Sequence, residues 1–167
     1  MSSEPEQPPD VAHLPEGVRR MLTAAVGRGL AVEVRPRPPA DSLEAAAAVL
    51  GITPADIAKT LVLRRSGDNY LYAVIAGDTQ IAWPRLRSVV GVNKMSLPDP
   101  AAALGATGYE RGTITPIGAA GDWPVYVDTG LVGRRVAMGS GAHGYSAFVA
   151  IDDLVRAYGA TVADIAE

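Results

Sequence analysis

The segment 109–118 (YERGTITPIG) is the part of the chain whose backbone is most restricted by its residue types. Gly112 and Gly118 can adopt backbone angles that are closed to other residues. Pro116 fixes its own φ, has no N–H and favours an extended conformation at Thr115. A loop restricted in this way can hold backbone N–H groups toward a ligand, but it can equally be a connection punctuated by glycine and proline. The loop alone does not decide between these two interpretations.

Short apolar segments with helical or alternating spacing surround this loop. Helical spacing and capping residues predict helices over about 14–28, 41–50, 83–90 and 98–104, and a C-terminal helix capped by Asp152. Alternation predicts strands over about 31–35, 60–64, 70–76, 93–96, 125–128, 135–138 and 145–151. Short strands between short helices predict a single α/β (α+β) domain with a largely mixed sheet. We place this domain at residues 13–167 and expect residues 1–12 to form a disordered tail.

The segments 51–59 and 159–167 share one pattern, in which a glycine is followed by a threonine and then by Asp-Ile-Ala. In the first copy Thr53 can cap a helix and Pro54 can occupy its first position. We interpret both copies as starts of helices. Two copies at no fixed period do not indicate a repeat protein.

The composition of the chain excludes several classes of protein. Its net charge of −3 argues against a protein that coats nucleic acid, although a local basic site can still bind one end of an RNA. The absence of cysteine excludes disulfides, thiolate catalysis and cysteine-based metal sites. The chain has no apolar run long enough to span a membrane, and its first residues do not resemble a signal peptide. We therefore expect a cytoplasmic protein.

The segment 139–144 (GSGAHG) matches the G-x-G-x-x-G pattern of dinucleotide-binding loops. Such a loop is followed by a helix, whereas the alternating residues after it predict a strand, so we interpret the segment as a glycine-rich turn. A triad of Ser140, His143 and Asp128 lacks any spacing that would fix its geometry. Since His13 and His143 are the only histidines, a zinc site is not expected. We predict no metal and no cofactor.

Lys59 and Lys94 are the only lysines among fifteen basic residues, so each is a candidate for a site that needs a compact ammonium group. Lys59 lies where an apolar strand begins and can stand at the mouth of a cleft, but it can also be a solvated residue at a helix end. Lys94 has the neighbours of a surface connection. Asp78 and Asp128 follow strands and can simply form turns, and His143 can be structural.

Five short motifs occur in an order and spacing that resemble a known family. They are Ala58-Lys59-Thr60-Leu61-Val62, Gly77-Asp78, Thr107-Gly108-Tyr109, Gly112-x-x-x-Pro116-Ile117-Gly118 and Val127-Asp128, followed by the glycine-rich turn. This set resembles the YbaK/prolyl-tRNA-synthetase-associated domain family of aminoacyl-tRNA deacylases over about residues 41–166. Each motif alone is moderately specific, whereas the ordered set is a strong signal.

The resemblance implies a barrel-like mixed sheet and a free-standing enzyme that hydrolyses the ester between a wrong amino acid and the 3′ end of a tRNA, often tRNA(Pro). It places the essential lysine at Lys59 and a carbonyl-binding loop at 112–118, with Gly112 and Thr113 as catalytic residues. The candidates for substrate binding are Thr60, Thr115, Pro116, Gly118, Asp128, Ser140, Gly141 and His143. The implied partners are the acceptor end of an aminoacyl-tRNA and an aminoacyl-tRNA synthetase, with neither a membrane nor DNA.

The chemistry of ester hydrolysis suits these residues, because backbone N–H groups in a rigid loop can stabilise a developing oxyanion. The loop and the late turn both depart from the family pattern. Many members have a second glycine where Thr113 stands, and in the late turn Ser140 is displaced by one position while His143 replaces an arginine. Two alternatives therefore stay open beside deacylation. One is a non-catalytic module that binds a tRNA end, and the other is a hydrolase of small esters.

Overall fold

The structure, a computed structural model, describes residues 11–167, so most of the predicted tail lies outside the described residues. In the described part the α-helices are α1 (Glu16–Gly27), α2 (Leu43–Leu50), α3 (Trp83–Val90), α4 (Pro100–Thr107) and α5 (Ile151–Tyr158). The five helices predicted from helical spacing are present, α3 with the predicted ends and the others with shifted ends. Asp152 does not cap α5, because the helix begins at Ile151 and Ala150 occupies the cap position. Ser42 rather than Asp41 caps α2, by accepting a hydrogen bond from the Ala45 N–H. None of the described helices is long and apolar enough to cross a membrane.

The strands belong to two sheets. They are β1 (Glu33–Pro36), β2 (Ala58–Ser66), β3 (Asn69–Ala76), β4 (Val125–Asp128), β5 (Arg135–Met138), β6 (Tyr145–Ala150) and β7 (Thr161–Ala163). β2 and β3 form the predicted antiparallel hairpin, with Lys59 opposite Ile75. β4 runs parallel to both β3 and β7, so the sheet β2-β3-β4-β7 is mixed, as predicted. The predicted strand at 93–96 is reduced to one bridge between Arg64 and Ser96.

The barrel-like closure of the sheet was a wrong expectation, because the second sheet, β1-β6-β5, stays separate from the first. A barrel requires continuous pairing around the whole ring of strands. In the described residues a single bridge, between Ile57 and Ala137, connects the start of β2 to β5. Beyond that bridge the two strands diverge, and the space between them is a cleft lined by residues of both.

Both faces of the β2–β3 hairpin are covered, because successive strand residues point to opposite sides. Tyr72 and Val74 face the larger apolar core, which also contains residues of α1, α5 and the second sheet. Leu71 and Ile75 face a smaller core beneath α3. Burial on both faces fixes the register of β2, because a slip of one residue would exchange the two faces. The position of Lys59 at the start of β2 is fixed with it.

The interpretation of 159–167 as a helix start was wrong. Thr161–Ala163 is a short strand beside β4, whereas the first copy of the pattern forms a 3₁₀ turn over Pro54–Asp56. The copies differ at one decisive position, since Pro54 in the first is replaced by Val162 in the second. Proline presets the backbone for the first position of a helix, whereas a β-branched residue favours a strand when the edge of a sheet is available.

Asp128, at the end of β4, holds the C-terminal segment in place. Its Oδ1 accepts hydrogen bonds from the N–H groups of Ile165 and Ala166 at 2.9 and 3.1 Å, and its Oδ2 accepts one from the Gly130 N–H at 3.0 Å. The Asp128 side chain therefore satisfies three backbone donors in a residue that is only 8% exposed. This is a structural role, and it leaves the carboxylate remote from the cleft between the sheets.

Replacing Asp128 by alanine is expected to lower the free energy of unfolding by about 2–4 kcal/mol, because buried N–H groups would lose a charged acceptor. Urea denaturation of the two proteins measures this difference. Asp122→Ala is the matched control, since the Asp122 side chain is fully exposed, and its effect should stay within about 0.5 kcal/mol. Equal urea midpoints for the two variants would contradict this structural role of Asp128.

Candidate active site

The cleft between the sheets has a volume of about 260 Å³ and is bounded by β2, β5, α2 and the loop 109–118. Lys59 and Thr60 line it from β2, Gly112 and Ile114 from the loop, and Gly139 from the turn after β5. Three predicted site residues, Lys59, Thr60 and Gly112, are thus brought together although more than fifty positions separate the first from the last. The remaining predicted site residues lie elsewhere.

Lys59 is the only basic residue of β2 that reaches the cleft, and it is partly buried. Its ammonium group forms no ion pair with any residue of the range 11–167, whereas Arg85 and Arg134 are paired with carboxylates. The neighbouring Thr60 has a buried Oγ1 without a hydrogen-bond partner in the same range. An unpaired cation and an unsatisfied hydroxyl on successive residues that both line the cleft favour a polar or anionic ligand.

The loop 109–118 is held in shape from within. The hydroxyl of Tyr109 donates to the carbonyl oxygen of Ile117 at 2.7 Å, across the width of the loop. Burial raises the pKa of Tyr109, so this hydroxyl remains a donor at physiological pH. The guanidinium of Arg20 lies 4.4 Å from the centre of the Tyr109 ring and donates to the Gly108 carbonyl. Gly112 has φ of 89°, a conformation that glycine adopts without strain.

Thr113 does not present a donor to the cleft. Its N–H and its Oγ1 both donate to the Glu110 carbonyl, at 3.0 and 2.7 Å, and the residue is 2% exposed. The residues on either side of it, Gly112 and Ile114, do line the cleft. No acceptor among residues 11–167 bonds to their N–H groups. The free backbone donors are therefore at Gly112 and Ile114 rather than at Thr113.

The glycine-rich turn after β5 packs directly against the back of this loop. A Cβ on Gly139 would lie 2.4 Å from the Ile114 carbonyl oxygen, so only glycine fits there. The Gly141 N–H donates to the Thr113 carbonyl at 2.9 Å. The Ser140 hydroxyl, in a residue that is 1% exposed, lies 2.9 Å from the Ala142 carbonyl oxygen and stabilises the turn. Ser140 and Gly141 thus support the loop and do not line the cleft.

Four other predicted residues of the loop and the turn also lie outside the cleft. Pro116 and Gly118 line a second cavity of about 300 Å³, on the side of the loop where Tyr158 accepts a hydrogen bond from the Gly118 N–H. Thr115 is fully buried. The His143 imidazole lies 3.2 Å from the Glu110 carboxylate on the outer surface, where both side chains are mostly exposed.

The second cavity also contains a buried hydroxyl. Tyr72 lines this cavity and is 1% exposed, and its hydroxyl has no hydrogen-bond partner among residues 11–167. Burial raises the pKa of Tyr72, which keeps the group neutral. The cavity is separated from the cleft by the loop itself, so Pro116 acts on the cleft only through the shape of the loop.

Sequence reasoning missed the wall of the cleft that faces Lys59. Arg37, whose N–H donates to the Gly144 carbonyl, brings a second cation to the cleft. Apolar side chains complete the wall: they are Leu43, Ala46, Leu50, Ile57 and Met138. In the sequence, Arg37 stands within a run of prolines, and the apolar residues belong to α2, to the residue before β2 and to β5. Each has the pattern of an ordinary core residue of its own segment, so no local signal marks them as site residues.

Several known proteins are similar to this chain in sequence. The uncharacterized protein YwhH of Bacillus subtilis is 37% identical over 90 residues, which are 54% of this chain and 57% of that protein. A proline–tRNA ligase of Nitratidesulfovibrio vulgaris is 30% identical over 98 residues, which are 59% of this chain and 17% of the ligase. The chain thus matches little more than half of the Bacillus protein and a small part of the ligase.

Solved structures share the fold. The crystal structure of hypothetical protein APE2540 superposes with a TM-score of 0.81 at 27% identity, covering 89% of this chain and 99% of that one. A "putative trans-editing enzyme for prolyl tRNA synthetase" superposes with a TM-score of 0.84 over 92% of this chain and 99% of that one. Its identity of 24% supports a common fold alone.

The family model of the aminoacyl-tRNA editing domain matches residues 37–157, which include the cleft, the loop and the glycine-rich turn. This match begins at Arg37, the cleft residue that sequence reasoning missed, and ends within α5. It covers most of the chain and confirms the family that the ordered motifs predicted. The chain therefore belongs to the aminoacyl-tRNA editing domain family.

Proposed function

We propose that the protein is an aminoacyl-tRNA deacylase that hydrolyses the ester of a mischarged tRNA in the cleft beside Lys59. The observation that carries this proposal is that an unpaired lysine and two residues whose backbone N–H groups lack acceptors line one cleft. Membership of the editing-domain family supports the same reaction. The similarity to a proline–tRNA ligase supports a tRNA(Pro)-type substrate.

In this proposal the chemistry depends on stabilisation of charge. Water adds to the carbonyl carbon, the bond from that carbon to the ribose oxygen breaks, and the ribose oxygen takes up a proton. The N–H groups of Gly112 and Ile114 stabilise the negative charge that develops on the carbonyl oxygen, and each such donor typically contributes about 2.7–4 kcal/mol. No carboxylate or imidazole lines the cleft within residues 11–167. Placement of the ester and the water therefore contributes much of the remaining acceleration.

Lys59 and Thr60 have a different task in this scheme. With no carboxylate partner, the Lys59 ammonium is available for the phosphate or ribose of the terminal nucleotide, and Arg37 adds a second positive charge in the same cleft. The Thr60 hydroxyl, which lacks a partner among the described residues, can bond to the same ribose. The apolar wall formed by α2 and Met138 is then left for the amino-acid side chain. A small apolar side chain suits a cleft of about 260 Å³.

Lys59→Ala is expected to lower kcat/KM for deacylation about tenfold to a hundredfold, because a hydrogen bond to a charged group contributes about 1.5–3 kcal/mol. The measurement is release of amino acid from a panel of mischarged tRNAs. Arg19→Ala is the matched control, since Arg19 is an exposed cation of α1 outside the cleft. Equal rates for the wild type and Lys59→Ala would remove Lys59 from the mechanism. No turnover by the wild type on any tRNA would refute the proposed function.

Gly112→Ala tests the backbone donors. Alanine cannot adopt φ of 89° without strain, so the loop must shift and its N–H groups with it. Gly133→Ala is the matched control, because Gly133 has φ of 80° and open space around it, yet does not line the cleft. We expect both variants to lose about 1–2 kcal/mol of stability and only Gly112→Ala to lose about 10²-fold in kcat. Similar kcat values for both variants would contradict a role for the loop in the transition state.

The occupied N–H of Thr113 favours a second candidate function, a module that binds the aminoacyl end without hydrolysing it. In that case one predicted donor is absent because its hydrogen bond is already made to Glu110. The two functions differ in turnover. Release of several equivalents of amino acid per protein molecule supports the deacylase, whereas saturable binding of charged tRNA without release supports the binding module.

A further inference from the structure

A second group of basic residues lies at the opposite end of β2 from the cleft. Arg64 and Arg65 come from the end of β2, Arg87 from α3 and Lys94 from the connection that follows α3. These four residues line a groove of about 360 Å³, which we call the basic groove. The chain folds three separate segments together there, so the concentration of charge is a property of the fold and not of one basic run.

The cations of the basic groove are not neutralised by carboxylates. Within residues 11–167, Arg65, Arg87 and Lys94 form no ion pair and donate no side-chain hydrogen bond. Elsewhere on the surface six arginines are paired with carboxylates of the described residues. The partners are Asp122 for Arg28, Glu33 for Arg35 and Arg135, Asp164 for Arg85, Asp56 for Arg134 and Asp153 for Arg156. Three cations without an ion pair in the described range thus lie together at the basic groove.

Arg64 is the fourth cation that lines the basic groove. Its Nε is buried and has no acceptor among the described residues, although another nitrogen of the same guanidinium donates to the Tyr70 hydroxyl at 3.0 Å. The hydrogen bond to Tyr70 raises the pKa of Arg64, and the charges of Asp68 and Asp99 raise it further without forming an ion pair. The guanidinium therefore keeps its charge without an ion pair among residues 11–167, and an anion in the groove would be attracted by it.

We propose that the basic groove binds the sugar–phosphate backbone of the tRNA whose aminoacyl end occupies the cleft. This proposal rests on the proposed function. Lys59 and Arg65 are six residues apart on one strand, which places the two sites about 20 Å apart at about 3.3 Å per residue. A tRNA is much longer than this distance, so one molecule can reach both sites. Several separated cations along an open groove suit a chain of phosphates better than a single small anion.

The net charge of the chain also supports a local binding site for tRNA. At −3 the protein repels a polyanion on average, so binding of tRNA requires local sites where the cations are free. The basic groove supplies such a site outside the cleft. It would position the tRNA without reading its sequence, because contacts to phosphates carry no base information.

The test is the salt dependence of binding to uncharged tRNA. Each phosphate contact contributes about 0.7–0.9 to the slope of log K against log salt concentration. For the variant Arg65→Gln/Arg87→Gln/Lys94→Gln we expect that slope to fall by about 2–3 and the affinity at low salt to fall about tenfold to a hundredfold. Lys94→Gln alone, a change at an exposed side chain, should lower the slope by about 0.7–0.9.

The matched control is Arg19→Gln/Arg135→Gln/Arg156→Gln, which removes the same charge from α1, β5 and α5. It should change the slope far less than the variant of the basic groove. Equal slopes for the two triple variants, or no tRNA binding by the wild type, would overturn the proposal. Binding to vesicles of anionic lipid that is lost in the groove variant, with tRNA binding unchanged, would also overturn it.

Hydrolysis of a small substrate can be used to test the groove proposal and the proposed deacylase activity separately. A 3′-aminoacyl adenosine carries the scissile ester without the body of the tRNA, so its hydrolysis should be equal for the wild type and the groove variant. If the wild type hydrolyses it and the groove variant still binds tRNA normally, the groove proposal fails and the deacylase survives. If neither protein hydrolyses any ester but the slopes differ as expected, the deacylase fails and the groove proposal survives.

Discussion

The contact between the loop 109–118 and the glycine-rich turn after β5 is the constraint on which the candidate site depends. The backbone of Gly139 approaches the Ile114 carbonyl so closely that no side chain fits between them, and Gly141 bonds to the neighbouring Thr113 carbonyl. The two segments come from different parts of the chain and have no strand pairing of their own. Their mutual packing fixes the floor of the cleft to the second sheet, while Lys59 is fixed to the first.

This arrangement explains why the threonine at position 113 is compatible with the fold of the family. The Thr113 side chain turns away from the cleft and, with its own N–H, closes a tight turn onto the Glu110 carbonyl. That turn leaves the N–H groups before and after it without acceptors. A side chain at this position therefore stabilises the loop from behind, and the close approach of a substrate would occur at Gly112, which has no side chain.

The sequence was sufficient for the features that depend on local patterns. The β2–β3 hairpin and Lys59 at its start follow from alternation and a turn, and the family follows from the order of the motifs. The positions of the other predicted site residues depend on long-range packing, which local patterns do not encode. Pro116 was expected at the cleft because it is close to Gly112 in sequence, yet it lines another cavity together with Gly118. Asp128 bonds to the C-terminal segment, whose strand has no signal beyond two β-branched residues.

Cations without carboxylate partners lie near both ends of β2 in the described part of the chain. The chain is acidic in sum, and most of its arginines outside this strand and its neighbours are held by carboxylates or stacked on aromatic rings. Lys59 at one end and Arg65 at the other remain without carboxylate partners in the described part of the chain, on one strand whose register is locked by burial on both faces. A rigid strand between two unpaired cationic sites keeps their separation constant. In the proposed complex, attraction would act at these two fixed points and repulsion elsewhere, so a tRNA would be attracted in few orientations, among them the one that places its aminoacyl end in the cleft.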